Sequence, residues 1–183
     1  MARHRVLDVS VVVALASIGL GACSSQGGGT AGTNESVVGA GTSHVVWKTD
    51  GGGFGPQLPA GASCHYEASY DLDLGDGSLG WSICKMTGTD FNDPAAFSTV
   101  VGWRTLTFAE RTHAIATAAA VKVSNVTTCG ADLDSRSLVV EGTAGSITYG
   151  DDFYACEKLF DQYVHTAQLE SLREVLDGMA HNP

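Results

Sequence analysis

The chain has 183 residues, with 20 acidic and 10 basic side chains and a formal net charge of −10 at pH 7. A surface this acidic repels both the phosphate backbone of nucleic acids and the headgroups of anionic lipids. The composition therefore argues against a nucleic-acid partner. It also excludes electrostatic attraction as the means of holding the protein at a membrane.

The N-terminus has the pattern of an export signal. Arg3 and Arg5 precede an uncharged apolar run from Ser10 to Ala22. About 20 apolar residues are needed to span a bilayer, so a run this short indicates the hydrophobic core of a signal peptide. The sequence therefore predicts a signal peptide over residues 1–22 and a protein that leaves the cytoplasm.

The end of this run, Leu20 to Cys23, resembles the lipobox of bacterial lipoproteins. In that class the signal is cut before the cysteine and the cysteine is acylated, so the resemblance implies lipidation of Cys23. Two or more acyl chains give stable anchoring, which implies attachment to a bacterial membrane without a membrane helix. Ser24 follows in place of aspartate, which resembles the outer-membrane sorting pattern of cells with two membranes. An ordinary secretory signal with an unmodified Cys23 is the alternative.

The next segment is rich in Gly, Ser and Thr. Such segments behave as flexible linkers because they have too little apolar surface to bury. We therefore expect the lipidated cysteine and a flexible tether over residues 23–43, followed by a single domain over residues 44–183. The stretch His44–Thr49 is a candidate first strand of that domain.

Two hairpins are predicted within the domain. Apolar and polar side chains alternate from Tyr66 to Leu74, which indicates a half-buried strand, and Asp76 and Gly77 suit a two-residue primed turn. This turn pairs Leu74 with Leu79, Leu72 with Trp81 and Tyr70 with Ile83. A second hairpin around Thr143 and Ala144 pairs Val140 with Ile147 and Leu138 with Tyr149.

Two helices are also predicted. Thr107 and Glu110 fit a capping box ahead of an Ala-rich stretch that ends near Val121. Its expected buried stripe is Phe108, Ile115 and Ala119. At the C-terminus, apolar residues recur at helical spacing and predict an amphipathic helix with the stripe Leu169, Leu172, Leu176 and Met179.

These elements predict an α+β domain, in which an antiparallel sheet of two hairpins, with one further strand as an option, is covered on one face by two helices. Besides Cys23 the chain has four cysteines, an even number that indicates two disulfides with three connectivities open. Because each hairpin is flanked by two cysteines, we expect the pairs Cys64–Cys84 and Cys129–Cys156. The expected register requires Cys64 to lie beyond the regular strand.

Asp71 and Asp73 raise the question of a calcium site. Their stretch, DLDLGDG, lacks the glycine and the glutamate that an EF-hand loop requires. The preferred interpretation is outward-facing strand carboxylates, with weak ion binding at Asp71 and Asp73 left open. No cofactor is predicted, because HExxH spacing, a GxSxG elbow and the phosphate-loop patterns are all missing from the sequence.

Asp151 and Asp152 form a second carboxylate pair. They could serve as an acid and a base, or as ligands for a hard cation. The preferred interpretation is that they end the second hairpin and accept hydrogen bonds from the turn that leads to Cys156.

The stretch Cys129 to Cys156 resembles the second half of subtilisin-inhibitor-like proteins, with a cysteine, a loop and a hairpin that ends at a second cysteine. The resemblance implies that a protease-binding loop is formed by Gly130, Ala131, Asp132 and Leu133.

Three functions follow from these patterns. The leading prediction is a non-catalytic binding or structural module, tethered at the cell envelope, with an envelope protein or ligand as its partner. The alternatives are a protease inhibitor that uses the Cys129 loop and a hydrolase whose dispersed residues include Asp151 and Asp152.

Overall fold

The computed structural model describes residues 35–50, 58–126 and 135–181. These residues form eight strands and two helices and belong to one compact unit, Ala31–Pro183. The strands are β1 Thr42–Thr49, β2 Ala68–Asp73, β3 Ser78–Met86, β4 Phe97–Thr105, β5 Val123–Ser124, β6 Arg136–Gly142, β7 Gly145–Asp151 and β8 Gln162–Val164; the helices are α1 Phe108–Ala120 and α2 Thr166–His181.

The strands form one sheet in the order β4-β3-β2-β1-β6-β7-β8-β5. Neighbouring strands are antiparallel except β7 and β8, which run parallel. The predicted α+β class is confirmed. The two predicted hairpins, β2–β3 and β6–β7, are joined through β1 in a mixed sheet that is larger than expected.

The sequence pattern misses β4, β5 and β8. In β4 the apolar side chains of Val101 and Trp103 lie on the solvent side of the sheet, whereas Arg104 lies on the helix side and donates to the Met179 carbonyl oxygen. In a typical half-buried strand the apolar side chains face the core and the polar ones face solvent, and β4 shows the reverse. The other two strands have two and three residues, too few to show a period.

The expected register of the first hairpin is wrong by two residues. Leu72 pairs with Leu79 and Tyr70 with Trp81, so a four-residue loop replaces the two-residue turn. The Asp73 carboxylate stabilises this loop by accepting hydrogen bonds from two loop amides, at 2.6 and 3.0 Å. A two-residue shift leaves every side chain on its predicted face, because side chains in a strand alternate with period two.

The second hairpin has the predicted register. Val140 pairs with Ile147 and Leu138 with Tyr149. The turn at Thr143 and Ala144 is followed by Gly145, whose φ of 114° lies in the region that favours glycine.

The core lies between the helices and one face of the sheet. The predicted stripe of α2 is confirmed, since Leu169, Leu172, Leu176 and Met179 are all buried. The sheet contributes Val45, Trp47, Tyr70, Leu72, Leu79, Leu138 and Val140 to the same core.

The capping box of α1 is confirmed, but its expected stripe is wrong. Thr107 and Glu110 exchange the two capping hydrogen bonds. Phe108 is 87% exposed, and the buried residues are Ala114 and Ala118, each 0% exposed. The reason is that α1 packs against α2, where small side chains allow close approach.

One predicted disulfide, Cys64–Cys84, is confirmed, with a Cα–Cα distance of 5.6 Å. Cys64 lies four residues before β2, as the pairing required. It packs with Ala96 and Phe97 in a small cluster apart from the main core. Of the second predicted pair, Cys129 lies outside the described residues.

Residues ahead of the expected domain start at His44 also pack on the domain. Ser36 forms an isolated β-bridge with Lys122, and the Val37 amide donates to the Val121 carbonyl oxygen at 3.1 Å. The Val37 side chain is buried in the main core.

The helix–helix contact predicts that substitutions at two positions of α1 change the stability of the protein by different amounts. Ala114→Leu should lower the free energy of unfolding by about 1–3 kcal/mol, because an overpacked core strains its neighbours. Phe108→Ala should change it by no more than about 0.5 kcal/mol, because the ring is exposed. Urea unfolding measures both; an equal loss in the two variants would contradict the helix packing.

Candidate functional site

The first polar site lies at the N-terminus of α2 and consists of Asp151, Asp152, Ser124, His165 and Thr166, hereafter the α2 N-terminal cluster. The side chain of Asp151 is fully buried, with 0% of its surface exposed to solvent, and the side chain of Asp152 is 10% exposed. The cluster joins the end of β7, the strand β5 and the first residue of α2.

Asp151 ends β7 and caps the following 3₁₀ helix. Its Oδ1 accepts a hydrogen bond from the Phe153 amide at 3.0 Å and another from the Thr166 hydroxyl. Its Oδ2 lies 3.6 Å from Nη1 of Arg136. The preferred interpretation, a carboxylate that binds amides of the turn, is confirmed for Asp151.

Four polar groups contact the Asp152 carboxylate within hydrogen-bond distance. Oδ2 accepts from the Ser124 hydroxyl at 2.6 Å and lies 3.0 Å from Nδ1 of His165. Oδ1 accepts from the Thr166 amide at 3.1 Å and lies 2.8 Å from the Thr166 hydroxyl, whose single proton it shares with Asp151. Burial acts to raise the pKa of Asp152, but these hydrogen bonds outweigh burial and hold the pKa below its ordinary value of 3.8.

The order of the groups in this cluster differs from that of a nucleophilic triad. In a triad the imidazole lies between the hydroxyl and the carboxylate. Here the carboxylate of Asp152 lies between Ser124 and His165, and the Ser124 oxygen also accepts from the Val126 amide at 3.1 Å. The geometry therefore favours a structural role for Asp151 and Asp152, which fix the start of α2.

A second polar site is a pocket of about 330 Å³ between α2 and the sheet, hereafter the sheet–helix pocket. Strands β1, β2, β3 and β6 form one wall, and one side of α2 forms the other. Its lining residues are Trp47, Thr49, Ala68, Tyr70, Ile83, Arg136, Glu170, Arg173 and Asp177.

Charged groups of both signs line this pocket. Nη1 of Arg136 lies 3.0 Å from Oε1 of Glu170, and Nε of Arg173 donates to Oε2 of the same carboxylate at 2.9 Å. Burial acts to lower the pKa of Arg173, but Glu170 and Asp177 outweigh it and raise the pKa above its ordinary value.

Tyr70 is a further polar group in the lining of this pocket. Its hydroxyl donates a hydrogen bond to Oδ1 of Asp177. Burial, and then the neighbouring Asp177 carboxylate, raise the pKa of Tyr70. The phenol is therefore a neutral donor throughout the physiological range.

One buried polar atom at this pocket has neither a hydrogen bond nor an ion pair among the described residues, and it is Nε1 of Trp47. Oε1 of Glu170 and Oδ2 of Asp151 accept no hydrogen bond of good geometry, but they lie 3.0 and 3.6 Å from Nη1 of Arg136. Buried polar groups in folded proteins nearly always have partners, so the indole N–H of Trp47 is an exception.

A larger pocket of about 400 Å³ lies between residues 35–42 and the turn of the second hairpin. Its charged lining residues are Glu35 and Glu141, both exposed. It offers no combination of opposite charges that would orient a ligand.

Asp71 and Asp73 lie on the solvent face of the sheet beside His44. Nδ1 of His44 is 3.3 Å from Asp71, and its Nε2 is 3.4 Å from Asp73. In the described ranges no group of three or more His, Cys, Asp or Glu side chains is arranged to hold a metal ion.

The remaining candidates of the sequence lie outside the described residues. They are Cys23, Cys129, Gly130, Ala131, Asp132 and Leu133. None of the helices in the described part of the chain is long and apolar enough to cross a membrane.

No family model, curated protein or solved structure matches the chain.

The α2 N-terminal cluster predicts an acid-sensitive stability. Asp152→Asn should lower the free energy of unfolding at pH 7 by about 1.5–3 kcal/mol, because it weakens charge-assisted hydrogen bonds. The pKa of Asp152 is lower in the folded than in the unfolded chain, so its contribution is complete above about pH 5. It is lost as the pH falls through the lowered folded value.

Urea unfolding at pH 7, 5 and 3 tests this prediction. The gap between the wild type and Asp152→Asn should narrow toward pH 3. Asp71→Asn, on the solvent face, serves as the control and should change stability little at each pH. A gap that stays constant with pH would contradict the assignment.

Proposed function

We propose that this protein is a lipid-anchored module of the bacterial cell envelope that binds a ligand or partner without catalysing a reaction on it. The sequence supports the anchoring half, through the signal peptide and the lipobox resemblance at Leu20 to Cys23. In a cell with two membranes, the residue after Cys23 supports the outer membrane as the location.

The observation that carries the binding half is the sheet–helix pocket. The carboxylate of Asp152 is satisfied by groups of the fold itself, whereas the sheet–helix pocket combines charged side chains of both signs with the rings of Trp47 and Tyr70. Concave sites with a few convergent polar groups and aromatic walls are typical of small-molecule binding. The acidic charge of the chain supports a partner other than nucleic acid.

The anchoring half predicts that Cys23→Ser moves the protein from the detergent phase to the aqueous phase after phase separation. The physical reason is that loss of the acyl chains removes the apolar surface that holds the protein in the bilayer. Ser24→Ala, next to the modified position, is the matched control and should stay in the detergent phase. If Cys23→Ser also stays there, acylation of Cys23 is not the anchor.

We also propose a second disulfide, between Cys129 and Cys156. Cys156 is disulfide-bonded, and Cys64 and Cys84 pair with each other, so we assign Cys129 as its partner. Cys23 is the other cysteine of the sequence, and an acylated Cys23 has no thiol to offer. The bridge should contribute about 3 kcal/mol to stability on loop-closure grounds.

Mass mapping of the unreduced, proteolysed protein tests this assignment and the lipidation together. We expect one peptide pair that contains Cys129 and Cys156, with acyl chains on the peptide that contains Cys23. A peptide that joins Cys156 to Cys23 would contradict both the pairing and the anchor.

A further inference from the structure

The two edges of the sheet differ in how well they are protected. At one edge β5 has two residues, and the Val123 amide donates to the Glu35 carbonyl oxygen at 3.0 Å. At the other edge β4 has nine residues, which pair with β3 without a bulge. Within the described ranges no strand lies on the outer side of β4. A long, regular edge strand of this kind is a template for pairing with another strand.

The pairing with β3 shows which backbone groups of β4 remain open. The Thr87 amide donates to the Ala96 carbonyl oxygen at 2.6 Å, and the Leu106 amide donates to the Gly77 carbonyl oxygen at 2.9 Å. In an antiparallel ladder every second residue directs its amide and carbonyl toward the same neighbour. The even-numbered residues of β4 therefore bond to β3, and the odd-numbered residues direct their backbone groups outward.

Most of the outward-directed residues form an open stretch of edge. The first of them, Phe97, is closed, because its carbonyl oxygen accepts a hydrogen bond from the Ser63 hydroxyl at 2.8 Å. The backbone groups of the others have no hydrogen bond to the part of the chain that the structure describes. These open residues are Thr99, Val101, Trp103 and Thr105.

Apolar side chains reach this open edge on both faces of the sheet. On the solvent face Val101 is 73% exposed and Trp103 is 75% exposed. On the helix face the ring of Trp81 occupies the space that a side chain at Gly102 would fill. Trp81 packs on the main core but is not fully buried. A strand added to β4 therefore covers apolar surface on both faces.

The open edge is nearly free of charge, although the chain as a whole is strongly acidic. Residues 99–105 contain one charged side chain, Arg104, which lies 2.7 Å from the carboxylate of Glu110. Like charges placed opposite each other on paired strands are destabilising. Two copies of this edge can meet without bringing acidic side chains together, so the net charge does not prevent their pairing.

The open stretch is also complementary to itself. It is centred on Gly102, so a two-fold axis at Gly102 brings Val101 opposite Trp103 of the second copy, and Thr99 opposite Thr105 of the second copy. In these antiparallel pairs each outward amide meets an outward carbonyl. Pairs of an aromatic and a β-branched side chain stabilise a sheet, and two-fold dimers are the commonest form of assembly.

We propose that two copies of this chain form a dimer through antiparallel pairing of β4, which joins the two sheets into one continuous sheet. The proposal goes beyond the proposed binding function. No residue of β4 lines the sheet–helix pocket among the described residues, so the two proposals can fail separately.

The first experiment tests the register with cysteines, on the full-length chain purified in detergent. Opposite residues in these pairs lie about 5.5 Å apart at Cα, a distance that a disulfide spans. A chain with both Thr99→Cys and Thr105→Cys should therefore form a covalent dimer on oxidation, seen on a non-reducing gel.

The two single substitutions are the matched controls. In the proposed register the Thr99 positions of the two copies lie six residues apart along the strands, or about 20 Å. The same holds for Thr105, so neither single variant should become linked. Absence of a covalent dimer in the double variant, or an equal yield in the single variants, would overturn the pairing.

The second experiment weakens the interface and leaves the subunit folded. Val101→Pro removes an outward amide that the subunit does not use, and proline is tolerated at such positions of an edge strand. Sedimentation in density-matched detergent should show a dimer for the wild type and a dimer Kd raised about tenfold or more for Val101→Pro. Val101→Thr keeps the amide and the β-branched side chain, and should stay dimeric.

Circular dichroism checks that Val101→Pro is folded, and if it is not, the cysteine experiment decides without it. A folded Val101→Pro that dimerises as the wild type does would overturn the proposal. A wild type that is monomeric at about 100 μM would also overturn the second copy as the partner, even if a strand of another protein binds this edge.

Discussion

The placement of α2 depends on the buried carboxylate of Asp152. A helix begins with amides that have no partner inside the helix, and a negative charge at this end is favourable. Asp152 binds the Thr166 amide there and at the same time binds Ser124 of β5 and His165. Because one carboxylate joins these elements, the direction of α2 across the sheet follows from where β7 ends.

Once α2 is placed, its two sides have separate roles. Leu169, Leu172 and Leu176 recur at helical spacing and pack into the core. Glu170, Arg173 and Asp177 follow each of them by one position, so they share the adjacent side and border the pocket. The helix that closes the core therefore also supplies one wall of the pocket, and the two cannot be altered independently.

The sequence predicted elements wherever a local period was strong. The stripe of α2, the capping box of α1 and both hairpins follow from spacing within one element. It missed β4, because the exposed Trp103 inverts the usual alternation, and it chose the wrong stripe for α1, because Ala114 is small and gives little hydrophobic signal. The register of the first hairpin depended on side-chain hydrogen bonds from Asp73 to the loop, which no periodicity reveals.

The sequence pointed to part of the α2 N-terminal cluster, but it did not point to the sheet–helix pocket. Adjacent acids before Cys156 pointed to Asp151 and Asp152, and the turn role of Asp151 was the preferred interpretation. Ser124, His165 and Thr166 gave no such signal, because strand pairing brings them to the acids from other parts of the chain. The pocket draws Trp47, Tyr70 and Arg136 from three strands, and sequence reasoning had placed Trp47 and Tyr70 only as strand residues.

The two-residue shift in the first hairpin has a consequence for how this domain can change over evolutionary time. The sheet distinguishes only odd from even offsets, because an even offset returns every side chain to the same face. The loop between β2 and β3 can thus lengthen or shorten by two residues while the helices still cover Tyr70, Leu72 and Leu79. A single residue inserted within either strand would instead turn the apolar side chains beyond it toward solvent. We therefore expect the length of this hairpin to vary in steps of two residues.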